Sequence, residues 1–70
     1  MKDLAVKFGA NLRSIRKEKG ISQDKLALIA DIDRSYVGRI ERGEVNITLE
    51  KVYVLAKALK CNVIELLPTP

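Results

Sequence analysis

Seventy residues, 47% of them hydrophobic, suffice for one compact domain with a small core and leave no room for a second. Leu, Ile, Val and Ala supply nearly all the apolar mass. Two tyrosines, one phenylalanine and few alternating apolar runs exclude a β-sandwich or barrel and favour an all-helical bundle. Thirteen Lys and Arg against nine Asp and Glu give a net charge of +4, its excess mostly in the first 42 residues, which fits either a polyanionic partner or a solvated basic surface.

In chain order, Leu4, Phe8, Leu12 and Ile15 recur at helical spacing. They predict a first helix from about Asp3 to Lys19 with these four on its buried face. Gly20 stops it, and Lys17 and Lys19 suit the negative end of its dipole. Ser22 is the predicted N-cap of a short second helix ending near Ala30, with Leu26, Ala27, Ile29 and Ala30 on its apolar side. Asp31-Ile32-Asp33 forms a tight connection in which Asp33 can cap a third helix, from Arg34 to about Arg42, ended by Gly43. Thr48 opens a fourth helix through Lys60, with Leu49, Val52, Leu55, Ala56 and Leu59 toward the core. Asn62 and Glu65 match a capping box for a last short helix ending before Pro68. The domain thus spans residues 1–67, and Pro68-Thr69-Pro70 reads as a disordered tail.

The lone Cys61 rules out an intramolecular disulfide, so packing alone must hold the fold. No stretch is long and apolar enough to span a bilayer, and Met1-Lys2-Asp3 leads into a mixed-charge helix rather than a signal-peptide core. A cytoplasmic protein with no membrane partner is expected. With no His, one unsupported Cys, no Gly-rich phosphate loop and no cluster of metal ligands, no enzyme, cofactor or metal is expected either.

Two short helices joined by a tight turn, over about residues 23–43, have the layout of a helix-turn-helix. On a helical wheel Val37, Ile40 and Glu41 share one side of the third helix, whereas Ser35, Gly38, Arg39 and Arg42 share the other. A helix anchored by two aliphatics that presents arginines, a hydroxyl and a glycine outward suits entry into a DNA major groove. An ordinary amphipathic surface helix is the alternative. Gln23, at the start of the second helix, stands where a phosphate can bind. Tyr36 borders the exposed face and either packs or reaches the sugar-phosphate backbone, and Asn46 and Thr48 serve either a phosphate or the turn and cap. Glu41 on the inward side needs a partner, for which Arg16 is the candidate.

The segments Gln23-Asp24-Lys25-Leu26-Ala27 and Arg34-Ser35-Tyr36-Val37-Gly38-Arg39-Ile40-Glu41-Arg42-Gly43 resemble the lambda-repressor-like, Xre-type helix-turn-helix family. So do Leu12 to Gly20, with Arg13 and Arg16, and the closing Val63-Ile64-Glu65-Leu66-Leu67. Within that family, Arg-Ser-Tyr-Val and Ile-Glu-Arg-Gly-x-x-Asn-Ile-Thr-Leu look most like the controller proteins of restriction–modification systems. The resemblance implies a compact five-helix DNA-binding domain. It implies base contacts from Arg34, Ser35 and Arg39, a phosphate contact from Gln23, and an internal ion pair of Arg16 with Glu41. Tyr36, Arg42 and Asn46 complete the expected backbone contacts. Two departures stand out: Asp31 occupies a turn position where Gly is common in the family, and Val45 a position where controllers often carry a basic residue.

One short recognition helix buries too little for selective binding, so a homodimer on a near-palindromic operator is expected. Val54 and Ala58, with Ile64, are left outside the core on the last two helices and form the expected dimer surface. Double-stranded DNA is the expected partner, with RNA polymerase a candidate second one. The alternative function is an antitoxin that binds both a toxin and its own operator.

Overall fold

The computed structural model describes residues 2–69, and within them the chain forms five helices and no strand. They are α1 (Lys2–Glu18), α2 (Gln23–Ala30), α3 (Arg34–Glu41), α4 (Leu49–Leu59) and α5 (Val63–Leu66). Met1, and the Pro70 end of the expected tail, lie outside the described residues; Pro68 is half-buried.

The caps follow local chemistry. Ser22 Oγ accepts from Lys25 N at 3.0 Å and Thr48 Oγ1 from Lys51 N at 3.2 Å. At α5, Asn62 Oδ1 accepts from Ile64 N at 3.0 Å while Glu65 Oε2 accepts from Asn62 N at 2.9 Å. Asp33 occupies the N-cap position of α3, but its side chain makes no cap hydrogen bond. The first four helices all end on a left-handed residue: Gly20, Asp31, Gly43 and Lys60, with φ of 71°, 57°, 74° and 54°. Each end carries the paired hydrogen bonds of a Schellman motif. At α3 these run from Glu44 N to Arg39 O and from Gly43 N to Ile40 O, both 3.0 Å; at α4 they run from Cys61 N to Ala56 O at 3.0 Å and from Lys60 N to Lys57 O at 3.1 Å. Lys60 therefore terminates α4 rather than extending it.

Helix α1 packs on α3 and α5, α2 on α3 and α4, and α4 on α5, so the α2–α3 pair is held between α1 and α4. Leu12, Leu26, Val37, Ile40, Leu55, Leu59 and Leu66 are fully buried at the centre. The closest approach is at Gly9 of α1, where a Cβ would stand 2.3 Å from the Ile40 carbonyl oxygen. Only glycine lets α1 lie this near the end of α3. Asn11 Nδ2 ties α5 to α1 by donating to the carbonyls of Leu66 (3.1 Å) and Leu67 (3.3 Å).

Three expected core residues are not in the core. Leu4 and Ile29 are exposed, and Leu49 keeps 71% of its surface accessible. Leu49 is the first residue of α4, one turn before Val52, the first α4 side chain the core covers, and Leu4 lies one turn before Phe8, the first α1 side chain it covers. Periodicity marks a face of a helix, but the neighbours end before the face does.

Candidate nucleic-acid interface

The site is built from α3 outward. Val37 and Ile40 are 0% and 1% exposed and anchor one side of this eight-residue helix, each burial stabilising by roughly 1.5–3 kcal/mol. That fixes which side chains face water. Arg34, Ser35 and Arg39 are exposed, and Tyr36 is half-buried against the core cluster. Gly38, expected on the outer face, is instead buried. A Cβ there would stand 3.2 Å from Arg42 Nη1 and 3.9 Å from Gln23 Oε1, so the glycine makes room for these two side chains rather than for an approaching ligand.

Behind α3 lies a buried polar network. Arg16 Nε donates to Glu41 Oε2 at 2.6 Å and Arg16 Nη2 to Glu41 Oε1 at 3.1 Å, the two side chains being 9% and 3% exposed. Arg16 Nη1 donates to the Ile21 carbonyl at 2.8 Å, and Gln23 Nε2 donates to Glu41 Oε1 at 2.9 Å. A single carboxylate thus joins α1, the start of α2 and the end of α3, and its bidentate geometry sets their relative orientation as well as their contact. Among the described residues no buried side-chain nitrogen or oxygen lacks a partner. Sequence reasoning assigned Gln23 only to a phosphate; its bond to Glu41 could be found only once α2 and α3 were packed.

At the surface, two arginines carry their own carboxylates. Arg34 Nε lies 2.9 Å from Asp24 Oδ1. Arg42 Nε lies 2.7 Å from Glu44 Oε2, with Nη2 3.4 Å from Oε1. The hydrogen bond from Arg42 holds the Glu44 carboxyl below the usual carboxylate range, and the same bond raises Arg42. Among the described residues Arg39 has no ion-pair partner. Asn46 is exposed and lines a groove of about 370 Å³ with Leu4, Phe8, Ile47, Leu67 and Pro68.

A second exposed surface runs along α4. Val54 and Ala58 are half-buried, while Ile64 is 73% and Tyr53 58% exposed. Leu49, Glu50, Tyr53, Val54 and Lys57 line a shallow groove of about 510 Å³, and Ile29, Ala30, Val54, Lys57 and Ala58 line another of about 340 Å³ reaching α2. Leu49 and Tyr53, which lie outside the core, extend this surface beyond the expected Val54 and Ala58, whereas the expected Ile64 lines neither groove. Among the described residues no group of His, Cys, Asp and Glu could hold a metal ion, and no helix is long and apolar enough to cross a membrane.

A short helix pinned by two aliphatics, turned tightly from its predecessor and presenting Arg34, Ser35 and Arg39 to solvent, defines a helix-turn-helix module. Residues 12–66 match the helix-turn-helix (HTH_3) family profile, and the chain belongs to the helix-turn-helix family of DNA-binding transcriptional regulators. Control protein C.SmaI of Serratia marcescens is 42% identical over 65 residues, covering 93% of this chain and 77% of that protein. Control protein C.MunI of a Mycoplasma species is 36% identical over 67 residues, covering 94% and 90%. Among solved structures, the restriction-modification controller protein C.AhdI from Aeromonas hydrophila has a TM-score of 0.86 at 48% identity, covering 89% of this chain and 94% of that one. The resemblance to lambda-repressor-like, Xre-type proteins, and within them to controllers, agrees with these findings.

Proposed function

We propose that the chain is a controller of a restriction–modification system that acts in the cytoplasm as a symmetric homodimer on a near-palindromic operator. The observation that carries this reading is the exposed Arg34, Ser35 and Arg39 face of α3, held from behind by the buried Arg16–Glu41–Gln23 network. The names of C.SmaI, C.MunI and C.AhdI support it. In this reading Arg34, Ser35 and Arg39 meet base edges, where arginine bonds guanine through two hydrogen bonds. Gln23, Tyr36, Arg42 and Asn46 meet the phosphate backbone and set the register. Gln23 has a second amide hydrogen beyond the one on Glu41, and it stands at the N-terminus of α2, where free backbone N–H groups favour an anion.

The chain works by binding and not by catalysis. The exposed apolar surface of α4 and α5, with Val54, Ala58 and Ile64, is the dimer contact. Across a two-fold axis it would set two α3 helices in successive major grooves about 34 Å apart. RNA polymerase is the second partner when the operator adjoins a promoter. Sedimentation of the protein with a duplex recovered by selection tests the reading: two chains per duplex are expected, and Ile64→Glu is expected to shift the free protein to monomer and lower operator affinity. One chain per duplex, or an unchanged profile for Ile64→Glu, overturns the dimer.

A further inference from the structure

Glu44 stands just beyond α3, on the chain that leaves the helix through Gly43, and its carboxylate grips Arg42 through Nε at 2.7 Å and Nη2 at 3.4 Å. The third nitrogen, Nη1, is folded back over Gly38, 3.2 Å from where a Cβ would stand there, a point that is itself 3.9 Å from Gln23 Oε1. The Glu44 carboxylate thus favours one orientation of the Arg42 guanidinium, with its ungripped nitrogen on the Gly38 side of α3, the side that the Gln23 amide oxygen also approaches. Both Glu44 and Arg42 are exposed, so the pair is reached by solvent and by any approaching polyanion.

We propose that Glu44 determines specificity: it clamps Arg42 for one phosphate in the correct register and lowers the attraction of the whole surface for DNA in every other register. The inference rests on the reading that the α3 face meets DNA. A random duplex is bound through charge alone, so a carboxylate beside Arg42 repels its phosphates and offers a competing partner that each contact must displace. In the operator complex the same carboxylate fixes the guanidinium fork so that Nη1 meets its phosphate in one position, and this positioning offsets the repulsion. Glu44 thus weakens non-specific binding more than specific binding, and the ratio between them decides occupancy among many competing sites.

The test measures binding of a selected operator duplex and a scrambled duplex across a salt series. The chains compared are wild type, Glu44→Gln, Glu44→Asp, Glu18→Gln and Arg39→Ala. Glu18 is an exposed carboxylate at the end of α1 and makes the same charge change without an arginine partner among the described residues. Glu44→Gln is expected to bind the scrambled duplex about two- to fivefold more tightly, the worth of an exposed ion pair. Its slope of log affinity against log salt steepens by about one, as one more cation becomes free to release counterions. Operator binding changes less, so the ratio falls, while Glu44→Asp keeps scrambled-duplex binding near wild type. If Glu44→Gln behaves like Glu18→Gln, or Glu44→Asp tightens scrambled binding as Gln does, the inference is overturned. Arg39→Ala separates the two failures. A lowered ratio in that variant leaves the α3 reading standing without the inference, whereas an unchanged ratio, or no enriched duplex at all, overturns both.

Discussion

Arg16 and Glu41 decide how α3 is held, and their cost when separated is large because neither side chain has water to fall back on. Arg16→Ala leaves a buried carboxylate facing only the Gln23 amide, and is expected to destabilise by about 3–5 kcal/mol. In a domain this small that consumes most of the folding free energy. Urea unfolding checks it; an apolar double substitution, Arg16→Met with Glu41→Leu, is expected to recover most of the loss. Arg39→Ala acts differently, keeping the fold and relaxing base preference at one position of each half-site by about 1–3 kcal/mol, which competition among operator variants measures. At Glu44 the lowered carboxyl range sets a direction with pH. The Arg42–Glu44 pair is intact at neutral pH and is lost as pH falls through the folded-state value, since protonation removes the charge that Arg42 bonds. The Arg16 and Glu41 juxtaposition was legible because an inward carboxylate on α3 demanded a cation. The bonds of Asn11 to the Leu66 and Leu67 carbonyls were not, because they link positions 55 and 56 residues apart that no local pattern relates.

Helix boundaries follow from a few residues whose side chains or backbone freedom satisfy the groups left open at helix ends. Ser22, Thr48, the Asn62–Glu65 box, Gly20 and Gly43 were readable for that reason. Lys60 was not, since lysine favours helix and nothing local announces φ of 54° there. The surrounding fold imposes it, for Cys61 N reaches the Ala56 carbonyl only if the chain turns at that residue. Relief of the left-handed strain makes Lys60→Gly stabilising by about 1 kcal/mol. A melting temperature roughly 4–8 °C higher is the expected readout, and an unchanged or lower value contradicts it. Gly9→Ala goes the other way. Its Cβ would press on the Ile40 carbonyl and force α1 from α3, destabilising by about 1–3 kcal/mol in thermal unfolding. Gly38 shows why a helical wheel misplaces a residue: the wheel gives direction around one helix, whereas Arg42 folds back over Gly38 from one turn on and Gln23 approaches it from α2.

For the whole molecule, a chain whose Cα radius of gyration is 10.6 Å presents one short helix, α3, at its surface and leaves an apolar surface on α4 uncovered. The all-helical class was legible from periodicity and from the scarcity of aromatics and alternating runs. The extent of the apolar surface was not, because Leu49 and Tyr53 lie on helical spacing that a core would also use, and only the packed neighbours separate the two. In the proposed dimer, two copies related by a two-fold axis would cover that surface and double the contact with DNA in one step, and dimer formation would then be tied to operator shape. The most direct test is selection of bound sequences from a random duplex library at near-physiological salt, repeated at higher salt. A dimeric regulator yields an enriched two-fold symmetric motif, with half-sites about one helical turn apart, that survives the higher salt. Binding without enrichment, weak and steeply salt-dependent, would contradict it.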